Sequence, residues 1–171
     1  MQCLILTLAI LSACASNGPR DYVGPTSGAT ATVNLHAPTI QSSAANSEID
    51  FEIFVAQADC SLLSQGWVRL TPAGFTKPIK VVAGQPLFIR LDYFQTDIVL
   101  ARNSRGEVKF ALEPSENTAY TVEYKGSGTR FDMDVWQGSP SDGVRGRTVV
   151  PLEWNERNGK VIYRGNLSCA N

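Results

Sequence analysis

The segment Leu87-Phe88-Ile89-Arg90-Leu91-Asp92-Tyr93-Phe94 decides the fold class of this chain. Apolar residues occupy every second position of it: Leu87, Ile89, Leu91 and Tyr93. Since successive side chains of an extended strand point to opposite faces, these four share one face. The segment therefore predicts a β-strand with one face on the core.

The same alternation recurs on both sides of this segment. It is found at 30–36, 50–55, 67–70, 79–82, 107–112, 119–124, 130–136 and 160–164, with shorter apolar runs at 98–100, 148–150 and 152–154. The turn Ala83-Gly84-Gln85-Pro86 suggests a hairpin between 79–82 and 87–94. Asn158-Gly159 suits a type I′ turn, in which both central residues need positive φ. The best helix candidate is the short segment Ala58–Ser64.

About nine or ten strands with frequent turn signals predict an all-β fold, a single antiparallel β-sandwich. A small closed β-barrel is the alternative. The three tryptophans, Trp67, Trp136 and Trp154, are expected to pack in the core or between the sheets rather than to form a sugar-stacking platform.

One local pattern favours the sandwich. Leu112-Glu113-Pro114 followed by Thr118-Ala119-Tyr120-Thr121-Val122 resembles the Leu-x-Pro and Thr-x-Tyr sequence that leads into a late strand of fibronectin type III domains, with Glu116 and Asn117 as two extra residues. The resemblance implies an immunoglobulin-like sandwich. It also implies that Tyr120 is a corner tyrosine whose hydroxyl bonds to the backbone upstream.

The N-terminal residues have the pattern of a targeting signal. An apolar run of about eight residues, too short for the roughly twenty that span a bilayer, ends in Leu11-Ser12-Ala13-Cys14. That tetrapeptide resembles the lipobox of bacterial lipoproteins, which implies a signal peptide over 1–13 and a lipid on Cys14. An ordinary signal peptide cut near Ala15 is the alternative. Because Ala15 rather than Asp follows the cysteine, the resemblance favours the outer membrane of a bacterial cell envelope.

The predicted mature chain has three parts. Cys14 begins a lipidated, flexible tether over 14–28, rich in Gly, Pro and Ser, and one sandwich domain follows over 29–171. Of the four cysteines, Cys60 and Cys169 remain once Cys3 is removed and Cys14 carries lipid. A disulfide between them is expected in an oxidising compartment, and two free thiols are the alternative.

Candidate sites for chemistry are few. Fifteen basic and sixteen acidic side chains are scattered along the chain, so nucleic acid is not an expected partner. The single histidine, His36, is expected on the outward side of its strand, and neither a metal site nor a cofactor is predicted. Asp132 and Asp134 share one strand face, where they are expected to be solvated.

A loop beginning at Gly138 carries Arg145 and Arg147 between Trp136 and Trp154, and these four residues are the candidates for partner contact. The sequence thus predicts a non-enzymatic lipoprotein that acts as a protein-interaction or envelope-assembly module. One alternative is a small carbohydrate-binding protein or glycan hydrolase that uses the Asp132 and Asp134 face. A periplasmic enzyme inhibitor is the other.

Overall fold

A computed structural model describes residues 20–37, 45–59, 61–70, 76–97, 102–127, 130–145, 153–157 and 160–164. For some strand residues only the backbone is described, among them Asp132, Arg145 and Trp154. The strands are β1 (Thr30–His36), β2 (Ala45–Ala56), β3 (Ser61–Leu70), β4 (Thr76–Val82), β5 (Leu87–Asp97), β6 (Arg102–Leu112), β7 (Ala119–Ser127), β8 (Arg130–Gln137), β9 (Val144–Arg145), β10 (Glu153–Arg157) and β11 (Lys160–Arg164).

The strands form two sheets packed face to face. One sheet has the order β4-β1-β7-β8-β9 and the other the order β10-β11-β3-β2-β5-β6. All strand pairs are antiparallel except β1 with β7, which is parallel. The predicted all-β sandwich is confirmed. Within the described ranges the sheets do not close on each other, so the barrel alternative is wrong.

The core lies between the inward faces of the two sheets. On β5 the four alternating residues Leu87, Ile89, Leu91 and Tyr93 are all buried, as predicted. The ring of Tyr93 meets that of Tyr124 from β7 with 5.6 Å between centroids. Strands β1 and β2 supply further buried side chains: Val33, Leu35, Ile49, Phe51 and Ile53. Burying this apolar surface from both sides is the main force that holds the sheets together.

The predicted hairpin between 79–82 and 87–94 is wrong. Strand β4 pairs with β1, whereas β5 pairs with β2 and β6 in the opposite sheet. Between them the chain crosses from one sheet to the other, and the Gly84 amide donates to the Pro114 carbonyl there. Both strands still bury their apolar faces in the same core, which is why alternation alone did not distinguish a crossover from a hairpin.

The helix predicted over Ala58–Ser64 is also wrong. Strand β3 begins at Ser61 and forms a hairpin with β2 in which Ala56 is opposite Leu62. The side chain of Asp59 closes the turn, because one of its oxygens accepts the Ser61 amide at 3.0 Å. Pairing with β2 supplies hydrogen-bond partners for the backbone over this stretch. A helix would leave Leu62 and its neighbours outside the sheet.

The two-residue turn predicted at 158–159 is supported by the strand register. Strands β10 and β11 pair antiparallel with Arg157 opposite Lys160, so two residues lie between the paired positions in the sequence. The turn residues themselves lie outside the described ranges. In the part of the chain that the structure describes, no helix is long and apolar enough to span a membrane.

Residues Arg20–Pro25 form a segment, called here the N-terminal strap, that bridges β3 of the six-stranded sheet and the edge strand β4 of the five-stranded sheet. On β3, the Trp67 amide donates to the Arg20 carbonyl at 2.8 Å and the Tyr22 amide donates to the Trp67 carbonyl at 2.9 Å. The Tyr22 hydroxyl donates to the Lys80 carbonyl on β4 at 2.7 Å. The strap lies within the predicted tether, so from Arg20 onward the chain is bonded to the domain.

The connection from β6 to β7 contains the predicted corner tyrosine contact. The Tyr120 hydroxyl accepts a hydrogen bond from the Ser115 backbone amide at 3.0 Å, which confirms the prediction made for its hydroxyl. Asn117, one of the two extra residues, adopts a left-handed backbone with φ of 56°. Asparagine tolerates that conformation better than most residues, so the two extra residues fit in the turn.

Candidate interaction surface

The outer face of the six-stranded sheet carries a dense array of charged and aromatic side chains. On β2 they alternate with the core residues Ile49, Phe51 and Ile53, so they point away from the core. Cross-strand register brings β3, β5 and β6 residues into the same rows. The members of this surface, called here the ionic face, are Glu48, Asp50, Glu52, Trp67, Arg69, Arg90, Asp92, Phe94, Arg105, Glu107 and Lys109.

Arg90 lies at the centre of the ionic face. Its Nη2 is 2.5 Å from Oε2 of Glu52, and its Nε is 3.4 Å from Oδ2 of Asp92. These three side chains are only 16, 8 and 18% exposed, respectively. The guanidinium also lies 5.3 Å from the Trp67 ring and 5.8 Å from the Phe54 ring, which is within cation–π range. The centre is thus an arginine held between two aromatic rings and two carboxylates.

Around this centre the charged side chains are more accessible. Arg69 forms a bidentate ion pair with Asp50, in which Nε and Nη2 each lie 2.8 Å from a carboxylate oxygen. Its Nη2 also lies 3.9 Å from Oε2 of Glu48. The hydrogen bonds to Asp50 raise the pKa of Arg69, which stays charged. The aromatic side chain of Phe94 is 42% exposed. The ionic face therefore has a desolvated centre and an accessible rim.

Asp92 is an unfavourably placed carboxylate of this surface. Burial raises its pKa, the positive charge of Arg90 opposes that effect, and Glu107 on the next strand adds to it. The row across three strands reads Asp50, Asp92, Glu107. Among the described groups, none donates a hydrogen bond to the buried Oδ1 of Asp92. This carboxylate costs folding free energy when it is ionised.

The residues predicted to contact a partner are only partly brought together. Trp136 and Arg145 are opposite each other across β8 and β9, and the Trp136 side chain is half-buried. Trp154 lies on β10 of the other sheet, where its backbone pairs with Tyr163. The side chains of Arg145 and Trp154, and all of Arg147, lie outside the described part of the structure.

Asp134 forms an ion pair with Lys125 on its own sheet face. Lys125 donates to its Oδ2 at 2.8 Å and lies 2.9 Å from Oε2 of Glu123. These hydrogen bonds raise the pKa of Lys125. Asp132 is opposite Lys125 in the register, but its side chain lies outside the described part. Opposite charges that face each other on neighbouring strands stabilise a sheet, so this ion pair has a structural explanation.

His36 lies where the alternation predicts it, on the outward side of β1. Its Nδ1 is 2.6 Å from Oγ1 of Thr76 on the paired strand β4. Across the described residues no three His, Cys, Asp or Glu side chains come together as a group that could hold a metal ion. Cys14, Cys60 and Cys169 lie outside the described ranges, so lipidation and the disulfide remain predictions.

The tryptophan prediction is wrong where the structure describes it. Trp67 and Trp136 lie on the outer faces of the two sheets, opposite Glu52 and Thr121 respectively. Their neighbours Val68 and Val135 occupy the core positions instead. Of two neighbouring residues in a strand, only one can face inward. In Trp67-Val68 and in Val135-Trp136 that residue is the valine.

Sequence reasoning missed the ionic face as a unit. The signal that could have found it is the charge at alternate positions of three strands: Glu48, Asp50 and Glu52; Arg90 and Asp92; Arg105, Glu107 and Lys109. These positions share one surface only when β2, β5 and β6 are neighbours in the stated register. The β2–β5 pairing joins segments that are far apart in the chain.

The fold and this surface define a class: a two-sheet β-sandwich protein with a charged, aromatic outer sheet face. No protein-family model, no curated protein and no solved structure matches this chain.

Proposed function

We propose that this protein is a lipid-anchored, non-enzymatic interaction module of the bacterial cell envelope, and that its ionic face binds a partner protein. The observation that carries the proposal is the centre of that face, where Arg90 lies between Trp67 and Phe54. Arginine and large aromatic residues are enriched in protein interfaces and dominate their binding energy. A pre-ordered arginine loses little further side-chain entropy when a partner binds.

The rim of the ionic face supports the same proposal. Arg69 and Phe94 are accessible, and charges of both signs lie next to each other on this face. A mixed pattern of this kind selects a partner with the opposite pattern and excludes surfaces that place like charges together. Specific recognition of a folded protein surface needs that pattern more than a uniform charge does.

The proposed membrane attachment rests on Leu11-Ser12-Ala13-Cys14. Several acyl chains hold a protein stably at a bilayer, and Ala15 after the cysteine favours the outer membrane. Labelled palmitate should be incorporated into the native protein and not into the Cys14→Ser variant. Equal labelling of the two proteins would overturn the proposed anchor.

The partner-binding surface is tested by site-specific photocrosslinking in intact cells. A photoreactive residue in place of Phe94 should yield a discrete crosslinked product. The matched control is the same residue in place of Val144, which is also exposed but lies on β9 of the other sheet. The product at position 94 should disappear when Arg69→Glu is added, because that change reverses the charge of the rim.

The proposal is overturned if positions 94 and 144 give the same crosslinked products, or if Arg69→Glu leaves the product at position 94 unchanged. A hydrolase or carbohydrate-binding function would instead require the carboxylates of Asp132 and Asp134. Under the present proposal Asp134→Asn leaves crosslinking at position 94 unaffected, because Asp134 lies on β8 of the other sheet.

A further inference from the structure

The end of the sandwich where the strap lies carries exposed apolar side chains. Val23 of the strap is 79% exposed, Val82 at the end of β4 is 40% exposed, and Leu63 on β3 is 47% exposed. Val23 and Val82 line one shallow cavity of about 130 Å³ together with Val55, which is opposite Leu63 in the β2–β3 register. The three exposed residues, Val23, Leu63 and Val82, form what is called here the apolar tip.

The position of the apolar tip in the chain determines what it can reach. Arg20 is the first described residue, and it is bonded to Trp67 beside the tip. Cys14 is six positions earlier in the chain, and a fully extended chain spans at most about 22 Å over six positions. A lipid on Cys14 therefore keeps this end of the sandwich within about 22 Å of the membrane.

The charges around the tip decide the type of contact. The tip itself is uncharged, and its remaining lining includes Pro25, Gln65, Gln85 and Pro86. Nearby charges have both signs, since Arg20 and Asp21 belong to the strap, Lys80 lies beside it on β4, and Glu113 and Glu116 lie in the turn after β6. Attraction to anionic headgroups is therefore not the source of a contact here, and burial of apolar side chains is.

We propose that the apolar tip rests in the headgroup region of the membrane, with Val23 and Val82 as the inserting side chains. This inference rests on the proposed lipid at Cys14. The lipid supplies the affinity, and the tip sets the orientation of the domain. In this orientation the strands of the sandwich point away from the bilayer, and Phe94 lies seven residues along β5 from the tip end, about 23 Å away.

The test uses the full lipidated chain in vesicles of zwitterionic phosphatidylcholine. A solvent-sensitive fluorophore is attached in three separate variants, Val23→Cys, Val82→Cys and the control Phe94→Cys, and the protein without an introduced cysteine gives the background labelling. All three positions are exposed, so the label does not replace a core side chain. Nitroxide-bearing lipid should quench the label at 23 and 82 several-fold more than the label at 94. High salt should not change this difference.

Two outcomes separate the inference from the proposed anchor. If mass spectrometry shows lipid on Cys14 and quenching at 23 and 82 equals that at 94, the tip contact is wrong while the anchor stands. If mass spectrometry shows no lipid on Cys14, the proposed anchor is wrong and the tip contact falls with it.

Discussion

At the scale of single residues, Tyr120 illustrates how one side chain can hold a connection between sheets. Strand β6 belongs to the six-stranded sheet and β7 to the five-stranded sheet, so the chain must turn between them. The ring of Tyr120 is buried, and its hydroxyl accepts the Ser115 amide within that turn. A buried tyrosine whose hydroxyl is bonded in this way fixes both the core packing and the path of the turn.

Removing this hydroxyl should destabilise the fold. Tyr120→Phe keeps the ring but leaves the Ser115 amide without its acceptor, so we expect the free energy of unfolding to fall by about 1 to 2 kcal/mol. Denaturant unfolding followed by fluorescence measures this. Ser115→Ala is the matched control, because the bond uses the backbone amide and the serine side chain is exposed. A loss of equal size in the control would contradict the assignment.

The raised pKa of Asp92 predicts a pH dependence of stability. Since the pKa is higher in the folded than in the unfolded chain, ionisation of this carboxyl destabilises the fold. As the pH falls through the range just above the ordinary pKa of aspartate, the native protein should gain stability relative to the Asp92→Asn variant. Unfolding free energies of both proteins across that range measure the effect. If the unfolding free energies of the two proteins changed with pH in parallel, burial would not raise the pKa of Asp92.

At the scale of secondary-structure elements, the strap depends on a glycine in the neighbouring strand. Gly66 has φ of 126°, and a Cβ there would lie 2.8 Å from the Arg20 carbonyl oxygen and from backbone atoms of Asp21. It also follows the β-bulge in the β2–β3 pairing. Only a residue without a side chain lets the strap approach β3 closely enough for its hydrogen bonds.

Gly66→Ala should therefore loosen the strap and lower the free energy of unfolding by about 2 kcal/mol or more. Gly28→Ala is the control, since Gly28 also has positive φ but a Cβ there meets nothing within 4 Å. The control should show only the backbone cost, about 1 kcal/mol. Limited trypsin cleavage after Arg20 should accelerate in the Gly66 variant alone. Equal acceleration in both would mean that the close approach is not what holds the strap.

Ion pairs on the ionic face should differ in strength with their burial. Arg90→Ala leaves Glu52 and Asp92 without their charge partner and removes stacking on two rings, so we expect a loss of about 3 kcal/mol. Arg69→Ala removes an exposed pair and should cost under about 1 kcal/mol. Thermal and denaturant unfolding of the two variants measure this contrast. Equal losses would show that the centre of the face is no more desolvated than its rim.

At the scale of the whole molecule, the expected disulfide between Cys60 and Cys169 would join the β2–β3 turn to the C-terminal region. Closing a loop of about 108 residues restricts the unfolded chain, and Cys169→Ser should lower the free energy of unfolding by roughly 4 to 5 kcal/mol. Thiol titration of the unfolded, unreduced protein checks the pairing directly. Two reactive thiols in the mature chain would contradict it.

Particular segments show how far the sequence predicts this fold. The alternation in 30–36 and 87–94 correctly identified strands and their buried faces, because a side chain's face depends only on the local period of two. The same alternation assigned β4 and β5 to one hairpin, although they lie in different sheets. The error arose because strand partners are chosen by contacts between distant segments, which local patterns do not contain.

The sequence by itself determined the all-β class, the inward faces of β1 and β5 and the corner contact of Tyr120. Only the tertiary structure decided that Arg90 meets Glu52, 38 residues away, that Trp67 lies outside the core, and that the strap reaches both sheets. The physical reason is that the alternation of side chains along a strand and the residue preferences of turns depend only on neighbours in the chain. The ionic face and the apolar tip arise from the register of strands that meet only when the two sheets have formed.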